Sequence, residues 1–404
     1  MSSESIPRLC ILNVEGYPLY NPKCKSLFGG AEVQCYLLAK GLAKTGKFDV
    51  SVVVSDHGQP SLEIYDAVRV CPHSGYRHPG SVLGSPLAVL RWWLRRLKRA
   101  SSFRLQKKKT WYIGDFPMSS SRLAIYDELD VQIYVARWNA PWTAELAFSC
   151  NQRGIPFVFL AATPGDYTEP TKARPEQRYV VEKAALHIVQ TQIQSEALWK
   201  YYQRPSVKIP SLIDDERRFP KETQPQTILW VGKANEIKRP ELALILAQEL
   251  PEYQFVLIAH GLGNEYYRCY IELILGDIEN ITWIEYVPYR QIEAYFARAK
   301  LFVSTSAYEG FPNTFLQAAK YGVPIISLQV DPEGLLSSHG CGIACGGDLG
   351  QMKENIRLLM ETPEIYTRFS DNCTEYLRNH HDNRKIIRDY ELAIESVLKG
   401  STHG

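Results

Sequence analysis

The sequence predicts an α/β protein of two doubly wound domains, and three observations carry that prediction. At 404 residues the chain exceeds one ordinary hydrophobic core, so two domains of near-equal size are expected. Short apolar runs rich in β-branched residues alternate with helical patterns along its length, which argues for parallel sheets covered on both faces. The alternation breaks at a polar, proline-containing stretch ending at Gln226 and restarts at Thr227, so the boundary is drawn at 213, with residues 1–213 before it and 214–383 after it.

Composition narrows the class further. Hydrophobic residues at 45% and charged residues at 22% describe a folded protein and exclude a disordered one. The net charge of +2 names no partner by itself. The nine cysteines, at 10, 24, 35, 71, 150, 269, 341, 345 and 373, form no CxxC pair and no framework spacing. The first residues lack the basic and apolar regions of a signal peptide, and no apolar run approaches the roughly 20 residues that span a bilayer. Reduced thiols and a cytoplasmic location are therefore expected.

In the first half, Leu9 to Val14 reads as a buried strand, and the loop after it ends in Phe28-Gly29-Gly30, opening a helix from Ala31 to about Lys44 whose Val33, Leu37, Leu38 and Leu42 share one face. The paired glycines permit close backbone approach to a ligand at the helix N-terminus, and equally permit a plain turn. Val50 to Val54, Ala67 to Val70, Val131 to Val135, Pro156 to Leu160 and Leu186 to Val189 read as further strands, with a helix from about Thr143 to Arg153. Arg137 and Asp166 follow strand ends, the edge at which open α/β sheets bind ligands. Asp166 suits a ligand site or a local cap.

From Arg91 to Lys109 nine of nineteen residues are Arg or Lys and none is acidic. Leu90, Trp93, Leu94 and Leu97 fall on one helical face, opposite Arg91, Arg95, Lys98 and Arg99. Such a segment can lie in an anionic membrane interface, or its tryptophans can pack on the domain while the cations are solvated. Nucleic acid is a poorer fit, since no recognised binding module accompanies the patch.

The second half opens with the strand Thr227 to Val231 and the loop Gly232-Lys233-Ala234-Asn235-Glu236-Ile237-Lys238, where cations can neutralise a leaving diphosphate. Strands at Phe255 to Ala259 and Ile281 to Ile284 are followed by the loops at His260 and at Tyr286-Val287-Pro288. No metal-ligand spacing surrounds His260, and no Asp-x-Asp pair offers a metal site. Leu301 to Val303 and Pro324 to Ser327 are strands bracketing Tyr308-Glu309-Gly310-Phe311-Pro312-Asn313-Thr314-Phe315-Leu316-Gln317. Pro312 suits the first turn of a helix, Gly322 the left-handed residue past its end, and Pro324 stops its continuation. Such a helix aims backbone N–H groups at a ligand beyond the strand ends, with Glu309 just ahead of it. A short strand near Ile343 and two final helices are expected, the last from about Arg384 to Lys399 with Ile386, Tyr390, Ile394 and Val397 on one face.

Glu309-Gly310-Phe311-Pro312, a polar residue eight positions after the Glu, and Gly322-Val323-Pro324 together resemble the donor-site signature of family-4 glycosyltransferases, retaining enzymes of the GT-B fold. Gly29-Gly30-Ala31-Glu32 is similar to the family's first-domain loop, and Lys238 matches its second donor-site cation. The chain differs in having Gln317 in place of a second Glu, Lys233 in place of an Arg, and no His or Ser before Asp166. The amide of Gln317 can still bond two hydroxyls, and Lys233 keeps the charge without the bidentate fork.

The resemblance implies two Rossmann-like domains facing a cleft, with the C-terminal helix (384–404) returning to the first. It implies a nucleotide-sugar donor, UDP- or GDP-linked, as substrate rather than cofactor. It implies catalytic roles for Glu309 beside the reacting sugar, Lys238 on the diphosphate and Asp166 on the acceptor side. Donor contacts are implied for Gly29, Gly30, Gly232, Lys233, Lys238, Val287, Gly310, Phe311, Pro312, Asn313, Thr314 and Gln317, with no metal. For the acceptor, the basic, tryptophan-bearing segment from Arg91 to Lys109 suits a carbohydrate or lipid-linked glycan in surface polysaccharide or glycolipid assembly, at the inner face of the membrane. A non-catalytic sugar-nucleotide binder or membrane scaffold of the same fold is the alternative that Gln317 and Lys233 permit. A phosphorylase or epimerase is disfavoured, for want of a cofactor lysine motif or an acid pair.

Overall fold

The computed structural model describes residues 6–77, 110–216, 218–260, 271–273, 275, 276 and 278–401. The basic stretch at 91–109 and the loop after His260 lie outside the described residues. The chain forms two compact units, Met1–Leu212 with Asn383–Gly404, and Ile213–Asp382.

The strands of the first unit are β1 (Arg8–Leu12), β2 (Asp49–Asp56), β3 (Glu63–Tyr65), β4 (Val68–Arg77), β5 (Thr110–Ile113), β6 (Phe116–Ser119), β7 (Ile133–Arg137), β8 (Phe157–Leu160), β9 (Leu186–Val189) and β10 (Val207–Lys208). Eight of them build one sheet in the order β10-β9-β8-β7-β1-β2-β4-β3, while β5 and β6 pair as a separate hairpin. Every pairing in the large sheet is parallel except β3 with β4. The order reverses at β1, whose neighbours β2 and β7 are not consecutive in sequence. The Asn383–Ser401 helix is grouped with this unit, burying Ile386, Tyr390 and Ile394 and pairing Glu391 with Lys47 at 2.7 Å.

In the second unit β11 (Thr227–Lys233), β12 (Gln254–His260), β13 (Ile281–Ile284), β14 (Ala299–Ser304), β15 (Ile325–Ser327) and β16 (Gly342–Ala344) form an all-parallel sheet in the order β13-β12-β11-β14-β15-β16. Side chains alternate along a strand, so β11 divides its apolar residues between two cores. Leu229 and Val231 join Phe296, Phe302, Phe315, Tyr321 and Cys373 on one face, while Ile228 and Trp230 join Leu244, Leu257, Leu301, Met352 and Ile356 on the other. Helices therefore cover both faces, the doubly wound arrangement expected of strands that read as continuous apolar runs.

The structure departs from the sequence reading in three local respects. Three helices follow β16 rather than two, Leu349–Glu361, Pro363–His380 and Asn383–Ser401, because Pro363 starts a new helix at N1 and the chain turns again at His381. Pro312 is the N-cap of the Asn313–Lys320 helix, with extended ψ of 122°, not a first-turn residue. Lys233 ends β11 in register with His260 and is not a loop residue. Gly322 is left-handed at φ 57°. The eight described cysteines are free thiols. Among the described residues no helix is long and apolar enough to cross a membrane.

One core group in the first unit predicts a pH dependence. His187, on β9, is 1% exposed, and its imidazole lies 3.0 Å (Nε2) from the Val181 carbonyl and 3.3 Å (Nδ1) from the Tyr167 hydroxyl. Burial, and then the Arg204 charge, push its pKa from 6.5 down to about 3. The folded state holds the neutral ring, so its stabilisation is complete above 6.5 and is lost as pH falls through about 3. His187→Gln is expected to shrink the decline in denaturant midpoint between neutral pH and about pH 4. An unchanged decline in the variant would remove His187 as its source.

Candidate active site

Open parallel sheets bind ligands outside the carboxyl ends of their strands, at the point where strand order reverses. In the second unit that point lies between β11 and β14, which are adjacent in the sheet. The segments leaving these two strands carry Lys238 and Glu309.

Asn235 shapes the first segment by accepting the amides of Ile237 (3.1 Å) and Lys238 (3.0 Å) on Oδ1. Arg239 then takes a left-handed φ of 50°, and Pro240 opens the Pro240–Glu249 helix. The second segment is clasped to the first through Thr305. Its hydroxyl accepts from Trp230 Nε1 (2.9 Å) and donates to the Lys238 carbonyl (2.7 Å), while its own carbonyl accepts from Arg239 Nε (2.7 Å). Ala307 N–H adds a bond to the Ile237 carbonyl at 2.8 Å. Gly232 belongs to the same close packing, since a Cβ there would stand 2.9 Å from the Trp230 ring and 3.5 Å from Lys238 Cγ. These bonds bring the Lys238 ammonium onto Glu309 Oε1 as an ion pair, with side chains 24% and 14% exposed. Neither Thr305 nor Asn235 stood out in the sequence, because their work is visible only once β11 and β14 are neighbours.

The Asn313–Lys320 helix begins four residues after Glu309. Asn313, Thr314 and Gln317 are half-buried. Gly310 and Pro312 are buried. Phe311 is 8% exposed and packs into the core and against His381 at 5.4 Å, so its ring anchors the segment from within. Val287 is half-buried against the same core. Among the described residues no group of three or more His, Cys, Asp or Glu is arranged to hold a metal ion.

The first unit has its own reversal, between β1 and β7. After β1, Gly29 is the extended N-cap of the Gly30–Thr45 helix, and its N–H donates to Glu32 Oε2 at 2.6 Å. That amide, one of the donors expected for a diphosphate, is thus engaged within the loop.

After β8, Asp166 sits in the short turn Pro164–Tyr167, buried, with its carboxylate accepting from Ala162 N (2.7 Å), Thr163 N (2.8 Å) and Asn139 N (3.0 Å). Burial raises its pKa, while those amides and Arg137 pull it down. Both of its oxygens accept from backbone, as those of a cap do. By holding Asn139 it also fixes the residue before it. Trp138 has φ 68° and is 40% exposed. A left-handed tryptophan costs about 1–3 kcal/mol.

Two doubly wound parallel-sheet units, each with a ligand-competent reversal point, make up the GT-B fold. Solved structures share it across nearly the whole chain. Sucrose-phosphate synthase from Thermosynechococcus elongatus superposes with a TM-score of 0.71 at 14% identity, covering 98% of this chain and all of that one. S. aureus TarM, solved with fondaparinux, α-GlcNAc-glycerol and UDP, gives 0.68 at 12% identity, covering 96% and 99%.

Residues 213–376 match the family described as Glycosyl transferases group 1, so the matched region is the second unit with Lys238 and Glu309 inside it. Two sequence relatives are a lipopolysaccharide 1,6-galactosyltransferase of Salmonella typhimurium, 29% identical over 27% of this chain and 31% of its own length, and an uncharacterized glycosyltransferase of Haemophilus influenzae, 23% identical over 41% and 48%. The chain spans about half or less of the length of the curated relatives it matches.

Proposed function

We propose that this chain is a family-4 type glycosyltransferase that moves a sugar from a UDP- or GDP-linked donor to a carbohydrate or lipid-linked glycan acceptor, with retention at the anomeric carbon. The observation that carries the reading is the Lys238–Glu309 pair at the reversal point of the second sheet, just ahead of the Asn313–Lys320 helix. Transfer breaks the bond from the anomeric carbon to the diphosphate oxygen, which leaves with the electron pair, and forms a bond to an acceptor hydroxyl, whose proton passes to the departing diphosphate. Lys238 and Lys233 offset charge growing on the diphosphate, the helix N-terminus adds its dipole, and Glu309 stabilises the oxocarbenium-like centre. Gln317 bonds the ribose hydroxyls through its amide.

A role in surface polysaccharide or glycolipid assembly is supported by the name of the Salmonella relative. The accompanying proposal of a site at the cytoplasmic face of the membrane rests on the basic sequence at 91–109.

The test is release of nucleoside diphosphate from a panel of UDP- and GDP-sugars, with and without cell membranes as acceptor. Turnover of one donor above the no-enzyme rate is expected. Binding of a donor with no turnover under any condition would instead select the second reading, a non-catalytic sugar-nucleotide binder, which the neutral Gln317 favours.

A further inference from the structure

We propose that Cys341 and Cys373 are a latent disulfide, a pair of thiols that a peroxide converts to a bond locking the second unit. The inference does not depend on the transferase reading. Cys341 directly precedes β16, where its N–H donates to the Leu335 carbonyl at 3.1 Å and its own carbonyl accepts from Ile325 N–H at 3.1 Å. Cys373 lies inside the Pro363–His380 helix. Both residues are 0% exposed in one apolar core, and their thiols are in hydrogen-bond contact. Cys373 Sγ also lies 3.3 Å from the Cys341 carbonyl oxygen and 3.6 Å from that of Val323.

Contact between the sulfurs sets this pair apart. Cys10 feels Cys71, and Cys150 feels Cys10, through charge alone. Contact with Cys341, and then burial, push the Cys373 pKa well up, so the protonated dithiol is the resting form. An oxidant meets it only when the helix opens locally, which favours a small, uncharged one.

Hydrogen peroxide is such an oxidant. One thiol loses its proton and attacks a peroxide oxygen, breaking the O–O bond. That sulfur becomes a sulfenic acid, and the other oxygen leaves as hydroxide, which takes up the proton to give water. The second thiol then displaces the sulfenic oxygen as a second water and forms the S–S bond. The two thiols give up two hydrogens and two electrons, and the peroxide becomes two waters. The bond closes a loop between positions 32 apart and so restrains the unfolded chain. It also pins the helix whose Ser370 hydroxyl donates to the Gly322 carbonyl at 2.6 Å, just past the end of the Asn313–Lys320 helix.

The experiment treats the full-length protein with hydrogen peroxide, alkylates the remaining thiols after unfolding, and maps the digest without reduction. A peptide pair joined through Cys341 and Cys373, lighter by two hydrogens and separated again by dithiothreitol, is expected. Oxidation should raise the urea midpoint of the wild type and dithiothreitol should reverse the rise, which should be absent in Cys341→Ala and Cys373→Ala. The wild-type digest decides the linkage without a variant, should either substitution impair folding. Recovery of both cysteines as alkylated thiols, their linkage to other cysteines, or their passage to sulfinic acid would overturn the proposal. So would a Cys341–Cys373 bond that leaves the urea midpoint unchanged or lowers it. Failure of the protein to turn over any nucleotide sugar would sink the transferase reading and leave this one standing, since neither readout uses a donor or an acceptor.

Discussion

Glu309→Ala is expected to lower donor turnover at least about a hundredfold, a loss of 2.7 kcal/mol of transition-state stabilisation. The expectation follows from place. Glu309 is half-buried between the end of β14 and the helix that starts at Asn313, and its carboxylate meets the ammonium of Lys238. A carboxylate in that position stabilises positive charge that exists only as the glycosyl bond breaks, so its loss should appear in kcat. Donor KM should move far less, because truncation frees the Lys238 ammonium for the diphosphate. Glu309→Gln, which keeps shape and loses charge, should fall nearly as far. Measured kcat and KM for wild type and both variants, compared at matched stability, decide the matter. A rise in KM with kcat intact would reassign Glu309 to ground-state binding.

Glu293→Ala is expected to destabilise the second unit by about 3–5 kcal/mol, the scale on which breaking a buried ion pair strands its partner. Glu293 is 3% exposed on the Tyr289–Arg298 helix. Its carboxylate receives Lys320 Nζ at 2.7 Å, the Tyr321 hydroxyl at 2.9 Å and Arg218 Nη1 at 3.2 Å. Arg218 keeps Asp214 and Glu216 as partners at 2.9 and 2.8 Å when Glu293 is removed. Lys320, only 9% exposed at its side chain, loses the Glu293 carboxylate and keeps the Glu216 carbonyl as an uncharged acceptor. Since Lys320 ends the helix that begins at Asn313, the damage should reach the candidate site from its far end. Urea unfolding, with Glu293→Gln as the milder companion, measures this, and a change in midpoint no larger than that of a surface substitution would show the network to be dispensable.

Much of the second unit was legible because its signals are local. Runs such as Ile228 to Val231 and Leu301 to Val303 can bury both faces only in a covered parallel sheet, and the punctuation by Gly322 and Pro324 ends one helix whatever surrounds it. Glu309, Lys238 and Gln317 were nominated from a motif whose residues lie a few positions from a strand end or on a helix face. That a helix starts beside Pro312 was readable in the same way.

Tertiary structure decided how those residues are used. Lys238 and Glu309 are 71 positions apart, and only the placement of β11 beside β14 joins them. Thr305 clasps the two segments for the same reason. Asp166, which the sequence offered slightly more as a site residue than as a cap, gathers three amides from two loops, a convergence that no local pattern shows. Trp138 carried no signal at all, because a left-handed tryptophan contradicts local preference and persists only where surrounding bonds over-determine the backbone. Local periodicity specifies elements, whereas strand order, a property of long-range packing, specifies which of their ends meet.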